Sequence, residues 1–177
     1  MKKTIAIIAV CAIICLSCNN TTPENRQEKA TESQGFASVM DSSENTALRN
    51  SVIAFANGDM DAFTANMDDN IRFFYPAPGD SLFGRAAVKA YYSERWKVID
   101  SVRLIEDPIF LSVNVHRDFP AMPGKWSMAW YSYKVNYKSG NGILIPIHSI
   151  GHMNAAGKFD FLAMYYDMHK VMTGQRK

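Results

Sequence analysis

Trp126-Ser127-Met128-Ala129-Trp130-Tyr131-Ser132-Tyr133-Lys134-Val135-Asn136-Tyr137 is the stretch on which the fold turns. Aromatic and β-branched residues at this density suit a pleated, half-buried surface, so it reads as a long β-strand. Lys138-Ser139-Gly140-Asn141-Gly142 then turns the chain into a second strand over 143–153. Asn154-Ala155-Ala156-Gly157 turns it again into a last strand over 159–168. Long β segments joined by short Gly- and Asn-containing turns predict an antiparallel meander.

Working back from that meander, 102–115 is β-rich but broken by Asp107-Pro108, which predicts a bulge or bend because proline cannot donate to a ladder. Residues 117–125 form a Pro- and Gly-containing loop. Everything earlier is helical in pattern. Asp41 can cap a helix, with Glu44 three residues on in a capping-box arrangement, and Leu48, Val52 and Phe55 follow at helical spacing. Asn57-Gly58 breaks that helix, and Asp59 can cap a second, short one carrying Phe63 and Met67. A strand over 70–75 and a third helix over 85–96, with Val88, Tyr91, Tyr92 and Arg95 or Trp96 inward, complete the first half. Helices followed by a strand meander mean an α+β domain.

The N-terminus is of another kind. Met1-Lys2-Lys3 is a short basic segment, and the apolar run over 5–16 is too short to cross a hydrocarbon core, which takes roughly 20 helical residues. It matches a secretory leader instead. The run ends in Leu16-Ser17-Cys18, which resembles the lipobox of bacterial lipoproteins, with Cys15 where that motif usually carries Leu. The expected organisation is a signal peptide over 1–17, a lipidated Cys18 with a flexible polar tether over 18–43, and one domain over 44–173. The body is then expected outside the cytoplasm, held to a membrane by acyl chains. All three cysteines, Cys11, Cys15 and Cys18, precede the body, so neither a disulfide framework nor a thiolate zinc site is available to it. The 177 residues carry 19 Lys and Arg against 17 Asp and Glu; without the leader the charges balance, which argues against a nucleic-acid partner.

Four short motifs in order give the body a family. Phe55-Ala56-Asn57-Gly58-Asp59-Met60-Asp61-Ala62, Asp69-Asn70-Ile71-Arg72-Phe73, Gly84-Arg85-Ala86-Ala87-Val88, and Gly157-Lys158-Phe159 with Tyr165-Tyr166-Asp167 span nearly all of 47–168. Together they resemble the nuclear transport factor 2-like superfamily in its SnoaL-like branch. That resemblance implies a cone: a curved antiparallel sheet wrapped around three N-terminal helices, with one open, mostly apolar pocket. It also implies a catalytic carboxylate in the last strand, three residues before the Asp of the terminal Tyr-x-Asp. The matching residue is Met164, which cannot transfer a proton.

Strand alternation nominates the pocket face. With Met153 opposite Phe159 and Tyr137 opposite Ile143, one face collects Met128, Trp130, Ser132, His148, Ile150, Leu162, Met164 and Tyr166, and this is taken as the concave one. A slip of one residue would put Tyr131 and Tyr133 there instead. His148 is the candidate base or hydrogen-bond donor, against the alternative of a satisfied core histidine. His152 lies about 13 Å from it along a strand, too far to share a metal, and reads as an ion pair with Asp160. Asp167 reads as structural. Gly-rich phosphate loops, His-Glu-x-x-His and Gly-x-Ser-x-Gly are absent, and no cofactor or metal is expected. Three functions follow: binding of a small apolar molecule in the cone, a lyase or isomerase using His148 with Tyr166 or Ser132 as donor, or a homodimerising module with Tyr131, Tyr133 and Tyr137 exposed on the sheet.

Overall fold

The structure is a computed structural model and describes residues 36–76, 81–116 and 122–175. The leader, Cys18 and the tether as far as residue 35 lie outside the described residues. The chain runs β1 (Ala37–Val39), a 3-10 turn (Ser42–Asn45), α1 (Thr46–Ala56), α2 (Met60–Thr64), β2 (Met67–Phe74), β3 (Ser81–Phe83) and α3 (Arg85–Trp96). It continues through β4 (Ile99–Leu104), β5 (Ile109–Val115), β6 (Gly124–Tyr137), β7 (Gly142–Met153), β8 (Phe159–Tyr165) and α4 (Met168–Gly174). The architecture is α+β, a curved and unclosed sheet wrapped around helices.

Local chemistry accounts for the breaks. Gly58 ends α1 at φ 74°, and a Cβ there would sit 3.3 Å from the Trp96 ring. Asp59 caps α2 by accepting from Ala62 N at 2.9 Å. Asp41 accepts from Ser43 N at 2.9 Å and opens the 3-10 turn. Asp107-Pro108 falls between β4 and β5 and separates two strands. Several segments depart from the sequence reading: Met67, expected on the second helix, opens β2, and the short β3 was not foreseen. Ala37–Val39, within the expected tether, pairs antiparallel with β5. The last strand stops at Tyr165, and Asp167 caps an unforeseen helix, α4, by accepting from Lys170 N at 3.1 Å.

Strand order is β1-β5-β6-β7-β8-β2-β3, with β4 beside β6. The long β6 pairs with β5 along its first half and with β4 along its second, so one strand serves two neighbours on the same edge. Among the described strands only β2 and β8 run parallel. The core lies between sheet and helices. Leu48 and Val52 of α1, Phe63 of α2, and Val88 and Tyr92 of α3 bury against Ile71, Phe73, Tyr133 and Leu162 of the sheet. Phe55 sits amid this packing, stacked on Tyr133 at 5.4 Å and edge-on to Phe63, Tyr92 and Trp96 at 5.5–6.0 Å. Such aromatic contacts add about 1 kcal/mol each beyond the area they bury.

Two register features decide which side chains face inward. Between β6 and β7 the pairing is Trp130 with His148 and Val135 with Ile143, two residues from the expected alignment but of the same parity. Between β7 and β8, Met153 pairs with Phe159 as expected, but His152 pairs with Phe161. Asp160 is therefore an extra, bulged residue, and from there on β8 has the opposite parity.

Candidate functional site

The concave face is built from alternate residues of the long strands. In β6 these are Ala129, Tyr131, Tyr133, Val135 and Tyr137, all buried. In β7 they are Ile145, Ile147 and Ser149, also buried. Because of the Asp160 bulge, β8 contributes Leu162 and Met164 to the same side, with Met164 paired to Ser149.

Between this face and the helices lies a cavity of about 50 Å³. Phe55, Tyr133, Val135, Ile147 and Met164 form its inner end, and Arg95, Tyr166 and Gln175 its partly exposed end. Val171 of α4 also lines it, so the C-terminal helix packs against the cavity. A second void of about 10 Å³ lies deeper, between α1 and the sheet, and shares Phe55, Tyr133 and Met164 with the first.

The polar groups of this interior are phenols. Tyr133 Oη donates to the Val52 carbonyl at 2.6 Å, and Tyr131 Oη bonds Ser149 Oγ at 2.9 Å. Tyr92 Oη reaches Met164 Sδ at 3.8 Å. Burial pushes the pKa of Tyr92 well above the ordinary tyrosine value, with Tyr166 and Tyr91 adding to it and Arg95 opposing. Burial, reinforced by Tyr131, does the same to Tyr133. Tyr166 and Tyr137 are raised by burial, against the pull of the Arg95 guanidinium. The site is therefore lined by protonated hydroxyls, one cation, one amide and apolar surface, and among the described residues no carboxylate or imidazole lines the cavity.

The residues nominated from sequence divide between two faces. Met164 and Tyr166 line the cavity, and Leu162 lines the deeper void. Met128, Trp130, Ser132, His148 and Ile150 share a face, as expected, but it is the outer one. The physical reason is the bulge: the inward side of β8 aligns with Ser149 and Gly151, not with His148 and Ile150. His148 stacks on Trp130 at 4.8 Å with the rings 8° apart and on Tyr165 at 5.9 Å, and its Nε2 is buried with no hydrogen-bond partner among the described residues. It does not reach the cone. The tyrosines expected on an exposed dimerising face are inside: Tyr131, Tyr133 and Tyr137 are 8%, 1% and 4% exposed. His152 does pair with Asp160, Nδ1 to Oδ1 at 2.7 Å, while its Nε2 lies 3.0 Å from the Pro123 carbonyl. Cys18 lies outside the described residues.

Arg95, Tyr92, Ile145 and Ile147 belong to the site and were not nominated for it, and Tyr133 entered only through a one-residue slip of register. The signal for Tyr133 was in the strand itself. Positions 129–137 of odd number read Ala, Tyr, Tyr, Val, Tyr, while the even ones include Ser132, Lys134 and Asn136. Polar residues at alternate positions mark the solvated face of a one-sided sheet.

Known structures share this architecture. A nuclear transport factor 2-like protein of unknown function from Burkholderia pseudomallei superposes with a TM-score of 0.61 at 15% identity, covering 77% of this chain and 100% of that one. A candidate polyketide cyclase from Pseudomonas putida gives 0.58 at 17% identity, covering 74% and 96%. A candidate isomerase from Bacillus subtilis gives 0.58 at 19% identity, covering 76% and 95%. No protein-family model and no curated protein matches the sequence. At these identities the likeness is one of fold, and the fold is the nuclear transport factor 2-like cone that the SnoaL-like resemblance implied.

The buried phenols make stability depend on alkaline pH. Their folded pKa values are raised, so above about pH 10 the folded chain holds protons that the unfolded chain has lost. Their contribution is fully present below that pH and declines as pH rises through the folded values. Urea unfolding followed between about pH 8 and pH 11 should show that decline, and it should be shallower in a Tyr92→Phe, Tyr133→Phe double variant. A stability that stays level to the top of that range contradicts the burial of these hydroxyls.

Proposed function

We propose that this nuclear transport factor 2-like domain is a binding domain that takes a small, largely apolar ligand into its cone. The observation that carries this reading is the cavity beneath α4, next to a smaller void on the far side of Met164. Protein interiors are packed to crystal density, so two voids that share Phe55, Tyr133 and Met164 mark a loosely packed place where a ligand can be admitted. A methionine between them can change rotamer at small cost and let the two merge around a ligand. The lining favours binding over proton transfer, because Met164 stands where the resemblance places an acid and His148 lies on the other side of the sheet. Native mass spectrometry of the purified protein, with lipophilic extraction, should recover a bound small molecule. Met164→Trp, which fills the space, should abolish the adduct while the protein remains folded. An unoccupied cone, with Met164→Trp indistinguishable from the parent in binding every screened compound, would overturn this reading.

The domain acts outside the cytoplasm on a lipid anchor at Cys18. The basic start, the apolar run over 5–16 and the Leu16-Ser17-Cys18 end support this. In a bacterial host, the full chain should incorporate radiolabelled palmitate and partition into detergent, and Cys18→Ser should remove both properties. Label retained in Cys18→Ser rules the anchor out.

A second reading, self-association, is favoured by the outer sheet face. Ile109, Trp130, His148 and Tyr165 form one row across β5 to β8, and Ile109, Trp130 and Tyr165 are 67%, 40% and 57% exposed. The next row is Leu111, Met128, Ile150 and Ala163. An uncovered antiparallel sheet normally presents polar residues to water, and an apolar row of this kind is suited to a second copy of itself across a two-fold axis. Sedimentation equilibrium should show a dimer that dissociates in a Trp130→Ser, Tyr165→Ser double variant; a parent that sediments as a monomer at high concentration excludes it.

A further inference from the structure

Among the described residues Arg95 is the one charged side chain that lines the cone cavity, and no carboxylate pairs with it. It leaves the last turn of α3 half-buried, donates from Nε to Tyr91 Oη at 3.0 Å, and lies 5.0 Å over the Tyr91 ring. Its Nη2 reaches Met168 Sδ at 3.6 Å, a weak acceptor on the helix that packs against the cavity. The ion pairs among the described residues lie elsewhere: Arg85 with Asp69, Lys89 with Asp61, Lys97 with Glu94, and His152 with Asp160. Among the described residues no carboxylate lies within ion-pair range of Arg95. The C-terminal end of α3 and the Tyr91 ring offset part of the charge, but neither is an anion. A guanidinium carries five donors in a planar fork, and most of these are unspent.

The surroundings state what would use them. The hydroxyls of Tyr137 and Tyr166 lie close enough to Arg95 to feel its charge, and burial keeps both protonated. Donors therefore gather around Arg95, while much of the remaining lining, Tyr133, Val135, Ile147 and Met164 among it, is hydrocarbon and aromatic ring. A single cation matches a single negative charge, and a planar fork matches a planar carboxylate through two parallel hydrogen bonds. A dianionic phosphate would leave one charge uncompensated beside apolar surface.

We infer that the cone takes a monocarboxylate, its carboxylate held at the Arg95 end beneath α4 and a short hydrocarbon part directed toward Met164. The inference rests on the cone being the binding site and adds the chemical class of the ligand. The cavity of about 50 Å³ limits the hydrocarbon part to a few carbons unless Met164 moves aside. Selectivity then has two independent components: the charge is read at one end and the length at the other.

Calorimetric titration of the purified domain with butyrate, hexanoate and benzoate, each beside its neutral amide, separates the two. The carboxylates should bind at least roughly tenfold more tightly than the amides, as expected when charge-assisted hydrogen bonds are lost. Arg95→Gln should bring carboxylate affinity down to that of the matching amides, and Arg95→Lys, which keeps the charge, should retain part of the preference. Thermal unfolding of both variants controls for folding. If Arg95→Gln binds carboxylates as the parent does, or the parent shows no preference, the carboxylate inference is wrong and cone binding stands. If affinities survive Met164→Trp, the ligands bind elsewhere and the cone reading falls. If no member of either series binds, both are overturned.

Discussion

A single extra residue, Asp160, sets the inside and the outside of this domain. Had β8 continued in the alignment that Met153 and Phe159 begin, its inward side would have been Phe161, Ala163 and Tyr165. The bulge exchanges these for Leu162 and Met164, which meet α1 and α3 and close the cone. The bulged residue is also held in place: its carboxylate bonds His152 Nδ1, and His152 in turn faces the Pro123 carbonyl and packs on Trp126. A local polar contact on the outer face thus decides which hydrophobic set is buried on the inner one.

The interior that results is aromatic more than aliphatic. Phe55, Phe63, Phe73, Tyr92 and Tyr133 meet edge to face or stacked, and the tyrosines among them bring hydroxyls into a space that an all-leucine core would leave without donors. Each inner hydroxyl is met: Tyr133 by a helix carbonyl, Tyr131 by Ser149, Tyr92 by a thioether. Close packing and satisfied polar groups make such a core rigid, and this rigidity places the Arg95 end of the cavity against a fixed wall. Gly151 shows how little slack the wall has, since a Cβ there would stand 2.8 Å from both Leu162 and Phe159.

Much of the fold was legible. The helix break at Asn57-Gly58-Asp59, the third helix over 85–96 and the two long hairpins each have a short-range cause, a cap or a turn, that sequence displays directly. The site was less so. Met128, Trp130, Ser132, His148 and Ile150 were correctly grouped, but their side of the sheet depends on a bulge, and no local motif around Asp160 announces one. Lys134 and Asn136 on the same parity carried the contrary signal, outweighed by the attraction of a histidine beside a tryptophan. Arg95 or Trp96 was expected on the inner side of the third helix, but that Arg95 lines the cavity without a carboxylate partner among the described residues is a property of tertiary structure. α4 was missed because 168–174 is too short for periodicity to register.

The parallel pairing of β2 with β8 has a consequence for how the chain reaches this state. Apart from the short β3, the neighbour of β2 in the sheet is a strand that begins some ninety residues later. The helices and β2 can form early, but the sheet edge they belong to does not exist until the last strand has been made and has docked between β7 and β2. Contacts of such sequence separation slow folding, because loop closure precedes any reward. During synthesis the first half of the body must therefore wait, with the apolar faces of α1 and α3 open, for its closing strand.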